Sequence, residues 1–202
     1  MKIGLVPISA KPYHAGHHAL VELAASQNDK VLLFVSTSDR NRKGEFPISG
    51  KDMQEIWIEH LESIMPSNSQ IIYGGSPVRK VYEEIGMACE EGSDDVFTVY
   101  SDPEDTSVNY PQSYREKYMQ PLCDLGQVVF AGESSPDSVT RGVGTPNISG
   151  TQVRTYLEAG DLPSFANAMP SGVDAESIFN TLTRDLKSES LIKNYVSVIL
   201  KM

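Results

Sequence analysis

The sequence predicts an α/β fold, a five-stranded parallel sheet with helices on both faces, followed by a helical C-terminal extension. Three observations carry this expectation. Five short apolar runs alternate with stretches whose apolar residues recur at helical spacing. The run Val31-Leu32-Leu33-Phe34-Val35 is apolar at every position, as a strand covered on both sheet faces must be. Beyond residue 160 the strand signal stops and only helical spacing continues. The expected division is therefore a sheet domain over 1–160 and a helical extension over 161–202 packed on it.

Taken in order, residues 2–6 read as a buried strand. From Gly16, residues Leu20, Leu23 and Ala24 mark a helix that ends at Asn28-Asp29. Residues 31–35 are the second strand. Residues 37–48 are polar, carry Arg40, Arg42, Lys43 and Gly44, and read as a mobile loop. Ser49 caps the next helix, with Asp52 three residues on as a variant of the capping box. Its buried stripe is Met53, Ile56, Trp57, His60, Leu61 and Ile64. His60 on that stripe reads as a satisfied, partly buried histidine. Residues 70–73 form the third strand, broken by Gly74-Gly75. Ser76 and Pro77 then start a helix as N-cap and first residue. Val78, Val81, Tyr82, Ile85 and Cys89 line one face of it, and Gly92 stops it.

Residues 96–100 form the fourth strand and run into Ser101-Asp102-Pro103-Glu104-Asp105. Tyr110, Tyr114 and Tyr118 fall at helical spacing and are expected in the core. Residues 128–130 form the fifth strand. The 16 residues from Gly132 to Asn147 are rich in Ser, Gly, Pro and Thr, lack periodicity, and read as a functional loop containing Arg141. Ser149 opens a helix with Val153, Tyr156 and Leu157 on one face and Gly160 at its end. Asp161 caps a short helix that turns Phe165 and Met169 inward. Asp174 starts another with Ile178, Phe179, Leu182 and Leu186, and Ile192, Tyr195, Val196 and Ile199 mark a last amphipathic segment.

Composition narrows the function classes. The net charge is −10, which argues against a nucleic-acid partner and makes each local cation informative. The two cysteines, Cys89 and Cys123, have no metal-ligand spacing and read as reduced thiols, consistent with a cytoplasmic protein. Pro7, Pro12 and His14 follow the first apolar run too closely for a signal peptide, and no apolar stretch is long enough to suggest a membrane partner. The exposed faces of the C-terminal helices leave room for a homo-oligomer.

In a parallel sheet of this kind, ligands sit beyond the carboxyl ends of the strands, where the strand order reverses. Four segments follow strand ends: 9–17, 36–43, 101–105 and 132–149. Three of the four histidines, His14, His17 and His18, fall within five residues of one another at the end of the first of them. Gly16 lets backbone approach a ligand there, and the helix start supplies unpaired N–H groups and a positive dipole end. Imidazole donors at such a point suit the stabilisation of phosphate charge. His18 lies four residues from His14 and competes with His17 for that role on spacing alone. Read this way, the cluster is a polar turn or an anion site.

His14-Ala15-Gly16-His17 resembles the HxGH motif of the nucleotidyltransferase superfamily, the cytidylyltransferase-like group. Ile148-Ser149-Gly150-Thr151-Gln152-Val153-Arg154 resembles its second signature, ISxTxxR. The resemblance covers roughly residues 1–160 and implies a Rossmann-like domain. The implied reaction moves a nucleotidyl group, AMP or CMP, from ATP or CTP to a phosphorylated small-molecule acceptor, with Mg²⁺ carried by the triphosphate and pyrophosphate leaving. It implies that His14 and His17 contact the triphosphate, with Pro12 and Gly16 beside them. It further implies that Ser149, Gly150 and Thr151 hold the β- and γ-phosphates and that Arg154 neutralises the leaving group. Ala10 and Lys11 stand where many members carry other residues. The Lys-Pro-Tyr-His run is most similar to archaeal-type nicotinamide mononucleotide adenylyltransferases, and small phage-encoded cytidylyltransferase-like proteins look similar too. Lys11 is expected to replace some of the metal's or arginine's charge, or to be a solvated lysine. Arg40, Arg42 and Arg141 are expected phosphate contacts or solvated charges, and Asp102 reads a base or ribose or caps a helix. The competing readings are a catalytically idle nucleotide-binding or structural protein on the same fold and a fragment of a class I aminoacyl-tRNA synthetase.

Overall fold

A computed structural model describes residues 1–184. Five strands, β1 (Lys2–Ile8), β2 (Lys30–Val35), β3 (Ser69–Tyr73), β4 (Val96–Val99) and β5 (Val128–Phe130), form one parallel sheet in the order β3-β2-β1-β4-β5. The chain builds outward from β1 to one edge, then returns to β1's other side for β4 and β5. The strand order therefore reverses between β1 and β4, and a crevice opens at their carboxyl ends.

The all-apolar β2 explains the two-sided core. Val31, Leu33 and Val35 face one hydrophobic cluster, and Leu32 and Phe34 face another. The first cluster takes Val21 and Ala24 from α1 (Ala15–Gln27), Met53 and Ile56 from α2 (Gly50–Ile56), and Val153 and Leu157 from α8 (Gly150–Ala159). The second takes Val81 and Ile85 from α3 (Pro77–Glu91) together with Tyr110, Met119 and Leu122. Each fully buried aliphatic side chain stabilises the fold by about 2 kcal/mol. The described helices thus cover both faces, as the alternating pattern predicts.

The C-terminal elements join the first cluster. Phe165 and Ala168 of α9 (Leu162–Ala168) lie in it with Ile178, Phe179 and Leu182 of a helix over 175–184. Asp174 caps that helix by accepting from the Ser177 N–H at 3.0 Å. Arg184 then pairs with Asp52 and Glu55 of α2. Leu186, Ile192, Tyr195, Val196 and Ile199 lie outside the described residues. Among the described residues no helix is long and apolar enough to cross a membrane.

Four expectations need correction. The stripe from Met53 to Ile64 is not one α-helix: after Ile56 it widens to a π-turn over Trp57–Leu61 and tightens over Glu62–Ile64. The wider turn still leaves Trp57 and Leu61 buried. The tyrosine stripe is cut by Pro111 into α4 (Pro103–Asn109) and α5 (Gln112–Tyr118). Tyr110 is fully buried, while Tyr114 and Tyr118 stay exposed beside Tyr82. Residues 132–147 are not all loop, because α6 (Ala131–Ser134) and α7 (Pro136–Val139) occupy part of the stretch. Lastly, 37–48 is anchored. Arg40 and Ile48 exchange backbone hydrogen bonds at 2.8 and 2.9 Å, and Phe46 and Ile48 are buried. His60 behaves as expected, half-buried with Ser177 Oγ at 3.4 Å.

Gly132 lets α6 lie against the end of β4. A Cβ there would stand 2.4 Å from Thr106 Oγ1 and 2.9 Å from the carbonyls of Ser101 and Asp102. Gly132→Ala is expected to destabilise the fold by about 1–3 kcal/mol through this overpacking, read as a lower midpoint in urea unfolding.

Candidate active site

The crevice at the β1/β4 reversal is a cleft of about 370 Å³. It is lined by Lys11, Pro12, His14, Gly16 and His17 after β1, by Asp102 and Asp105 after β4, and by Arg40, Arg141, Ser149, Gly150, Thr151 and Arg154. The sequence therefore places all its candidates here except Arg42, which is exposed and absent from the lining. The chain enters through Ala10, whose φ of 49° is left-handed and which is buried. Such a backbone costs a non-glycine residue about 1–2 kcal/mol, which the surrounding packing must offset.

His14 is the N-cap of α1. Its Nδ1 accepts from the His17 backbone N–H at 3.4 Å, so the neutral ring carries its proton on Nε2. The His14 and His17 rings stack at 3.8 Å, and Tyr13 stacks on the other side of His17 at 5.6 Å. Burial, then Arg141 and Arg154, pushes the His14 pKa down to about 4. Burial, then His14 and Arg141, holds His17 well below the usual imidazole range. Both rings are therefore neutral near pH 7 and offer N–H donors rather than charge. His17 Nδ1 is buried with no hydrogen-bond partner among the described residues. The competition with His18 is settled by geometry, since His18 turns away to Tyr13 Oη at 3.1 Å and to Glu22 at 3.7 Å. Gly16 is needed because a Cβ would press on the His14 ring at 3.1 Å and on the Ile148 carbonyl at 3.4 Å.

The second signature arrives on α8. Ser149 and Gln152 form a complete capping box, which engages the Ser149 hydroxyl in holding the helix start. Arg154 is buried. Its Nη1 donates to the Lys11 carbonyl at 2.9 Å, its Nη2 donates to Thr151 Oγ1 at 2.9 Å, and Glu45 lies 3.4 Å from Nη2. The Nη1 contact joins two stretches 143 residues apart. Gly150 makes room for the guanidinium, since a Cβ would meet Nη1 at 3.1 Å. Ser149 and Thr151 thus spend hydroxyl contacts on the helix and on Arg154, which spacing alone does not reveal.

Lys11 also differs from its expected free charge. Its Nζ donates to the Ser36 carbonyl at 2.6 Å, beyond the end of β2, and burial lowers its pKa to about 8. Arg40 pairs with Glu45 through two bonds at 2.7 and 3.0 Å. Arg141 is exposed at the mouth and makes no ion pair among the described residues. Asp102 lines the cleft while also capping α4, accepting from the Asp105 N–H at 2.7 Å. Asp105 was not singled out by sequence reasoning. Burial and the neighbouring Asp102 and Glu104 raise its pKa. Its place after β4 was the available signal. Among the described residues no three His, Cys, Asp or Glu side chains gather into a metal-holding group.

A doubly wound parallel sheet with two helix N-termini and four cations at its order reversal defines a Rossmann-like α/β protein with a cation-lined cleft. The family model for the citrate lyase ligase C-terminal domain matches residues 3–72. A nicotinamide-nucleotide adenylyltransferase from Haloarcula marismortui is 24% identical over 103 aligned positions, which take in 38% of this chain and 54% of that protein. The match thus spans about half the length of that relative. The structure of Thermotoga maritima TmcAL bound with alpha-thio ATP is similar over 93% of this chain and 56% of its own, at 12% identity and a TM-score of 0.47. Over these stretches the chain is similar to members of the cytidylyltransferase-like nucleotidyltransferase superfamily.

Two outcomes follow from this geometry. The two histidines bind protons more readily unfolded than folded, because their folded pKa values lie below the ordinary 6.5. Their contribution to stability is complete above pH 6.5 and is lost as pH falls towards about 4. The melting temperature should therefore drop from pH 7.5 to pH 5 in circular dichroism. His14→Asn, which keeps a capping acceptor but no titration, should flatten that dependence. Arg154→Ala leaves the Lys11 carbonyl without its donor and is expected to cost about 2–3 kcal/mol in chemical denaturation, with Arg154→Lys intermediate.

Proposed function

We propose that the protein transfers AMP or CMP from ATP or CTP to a phosphorylated small-molecule acceptor. In this reaction an acceptor phosphate oxygen forms a new bond to the α-phosphorus, the bond from that phosphorus to the bridging oxygen breaks, and pyrophosphate departs with the electron pair. Magnesium arrives as part of the nucleotide substrate. The observation that carries this reading is the direct tie between the two signature stretches, from the Arg154 guanidinium to the Lys11 carbonyl in the lining of one cleft.

The residues divide the work by position. His14 and His17 line the cleft as neutral N–H donors, suited to charge that grows on the α-phosphate in the transition state. The N-terminus of α8, with Gly150 and Thr151, offers backbone N–H groups to the β- and γ-phosphates. Arg154 and Arg40 take the leaving pyrophosphate, and Arg141 closes over the phosphates from the rim. Lys11 holds the segment after β2 through Ser36 and adds its charge from behind. Asp102 and Asp105 face a ribose, base or magnesium-borne water. Holding nucleophile and phosphorus in line supplies much of the acceleration, without a covalent enzyme intermediate. The Haloarcula relative carries the name of an adenylyltransferase, which favours ATP as the first nucleotide to test.

A second reading is an idle nucleotide-binding protein. It is favoured by the engagement of Arg40 and Arg154 by the protein's own side chains. Pyrophosphate release from ATP and CTP with Mg²⁺, measured against a panel of phosphorylated acceptors, separates the two. Turnover is expected on one nucleotide–acceptor pair, falling at least ~100-fold in His14→Ala and in His17→Ala. Turnover that survives both substitutions overturns the mechanism, and nucleotide binding with no turnover on any acceptor selects the idle protein.

A further inference from the structure

We infer that Glu45 is a built-in counter-anion: in the free protein it holds the guanidinium edges of Arg40 and Arg154, and the pyrophosphate end of the nucleotide displaces it. The inference deepens the reading above and rests on it.

Glu45 bridges two cations that both line the cleft. Its Oε2 lies 2.7 Å from Arg40 Nε and 3.4 Å from Arg154 Nη2, and its Oε1 lies 3.0 Å from Arg40 Nη2. The Arg40 contact is a two-bond fork, the geometry with which guanidinium also grips phosphate. The carboxylate therefore occupies donor edges that a phosphate would use. It also answers an electrostatic need. Arg40 and Arg42 disfavour the charge on Arg154, which is buried, and Glu45 favours it. Without an anion between them the two guanidinium groups would face each other as like charges.

The same geometry lets Glu45 leave. Residues 41–44 are exposed, and Glu45 follows Gly44, whose φ of 82° makes the tight turn. The Glu45 N–H bonds only to the Arg42 carbonyl, within that turn. Below it, the Arg40–Ile48 backbone pair and buried Phe46 and Ile48 hold the segment to the core. Rotation of one side chain at the tip frees the Arg40 fork and the Glu45-facing edge of Arg154, whose bonds to Lys11 and Thr151 stay in place with the base. A bound pyrophosphate brings several negative charges to those edges, so Glu45 cannot remain beside it without like-charge repulsion. A monoanion offers less in exchange for the same ion pairs, so Glu45 biases the site towards polyphosphate.

The test is calorimetric binding of inorganic pyrophosphate, and separately ATP, to the 202-residue chain at fixed ionic strength. Glu45→Gln should bind pyrophosphate about fivefold to tenfold more tightly than wild type, the worth of a partly buried charged pair. Glu45→Asp keeps the charge but loses the reach to both guanidinium groups, and should also bind more tightly, by a smaller factor. If only Glu45→Gln tightens binding, the effect is the general field and the inference falls. If wild type binds pyrophosphate and neither variant improves on it, the inference falls while the proposed reaction stands. If no form binds pyrophosphate or ATP, both fall. A wild-type measurement covers the case of a variant that does not fold. The Glu45 carboxyl carbon should titrate below the usual carboxylate range in the free protein, because of Arg40, and return towards it when pyrophosphate saturates the site. A titration unchanged by pyrophosphate overturns the displacement.

Discussion

The Arg154 guanidinium reaches back 143 residues to the carbonyl of Lys11, and the rest of the cleft is arranged about that bond. Gly150 clears the space for it, Thr151 steadies its second nitrogen, and Glu45 balances its charge. The carbonyl it uses belongs to the turn that carries His14. Position of the histidines and position of α8 are therefore one quantity rather than two. A buried guanidinium is costly unless its donors are satisfied, and here most of that satisfaction comes from groups that also line the ligand space.

The second constraint is electrical. A chain of net charge −10 gathers Lys11, Arg40, Arg141 and Arg154 around one crevice, yet keeps His14 and His17 uncharged there. Burial is the main reason; the nearby arginines add to it, and for His17 so does the His14 ring stacked at 3.8 Å. Fixed cations supply long-lived attraction for an anion, and neutral N–H groups supply directed hydrogen bonds. The acidic remainder of the surface confines that attraction to the cleft.

How far the sequence could be read depended on which physical signal each part carries. The strands and the long helices were legible because their burial imposes periods that survive in the residues: every-residue apolarity in β2, and i, i+3, i+4 spacing in α3 and α8. The fold class followed from their alternation. The tyrosine stripe misled because Pro111 interrupts a spacing that otherwise looks continuous. Helices α6 and α7, of four residues each, are too short to express a period at all. For the cleft, chain position after strand ends collected most lining residues, including His14 and His17, while Gly150, Thr151 and Arg154 were reached only through the resemblance to the second signature. What it did not convey was partnership. Nothing in spacing says that Lys11 donates to Ser36, that the Ser149 hydroxyl serves Gln152, or that Arg40 is held by Glu45. These are long-range or loop-local hydrogen bonds with no repeating pattern, and Arg42, two residues from Arg40, turns outward without any compositional cue.

The doubly wound strand order has a consequence for how the molecule comes into being. The cleft's two halves lie near opposite ends of the described chain, so no early folding fragment contains a complete site. A growing polypeptide acquires the β1 turn first and its partner only after five strands have been made. Closing so long a stretch of chain is entropically slow, and it is among the last contacts to be rewarded. Any ligand gripped by both halves therefore acts as a clasp on the finished topology. It would slow the opening of central β1 and helix α8 together, and amide exchange in those two distant segments would become correlated.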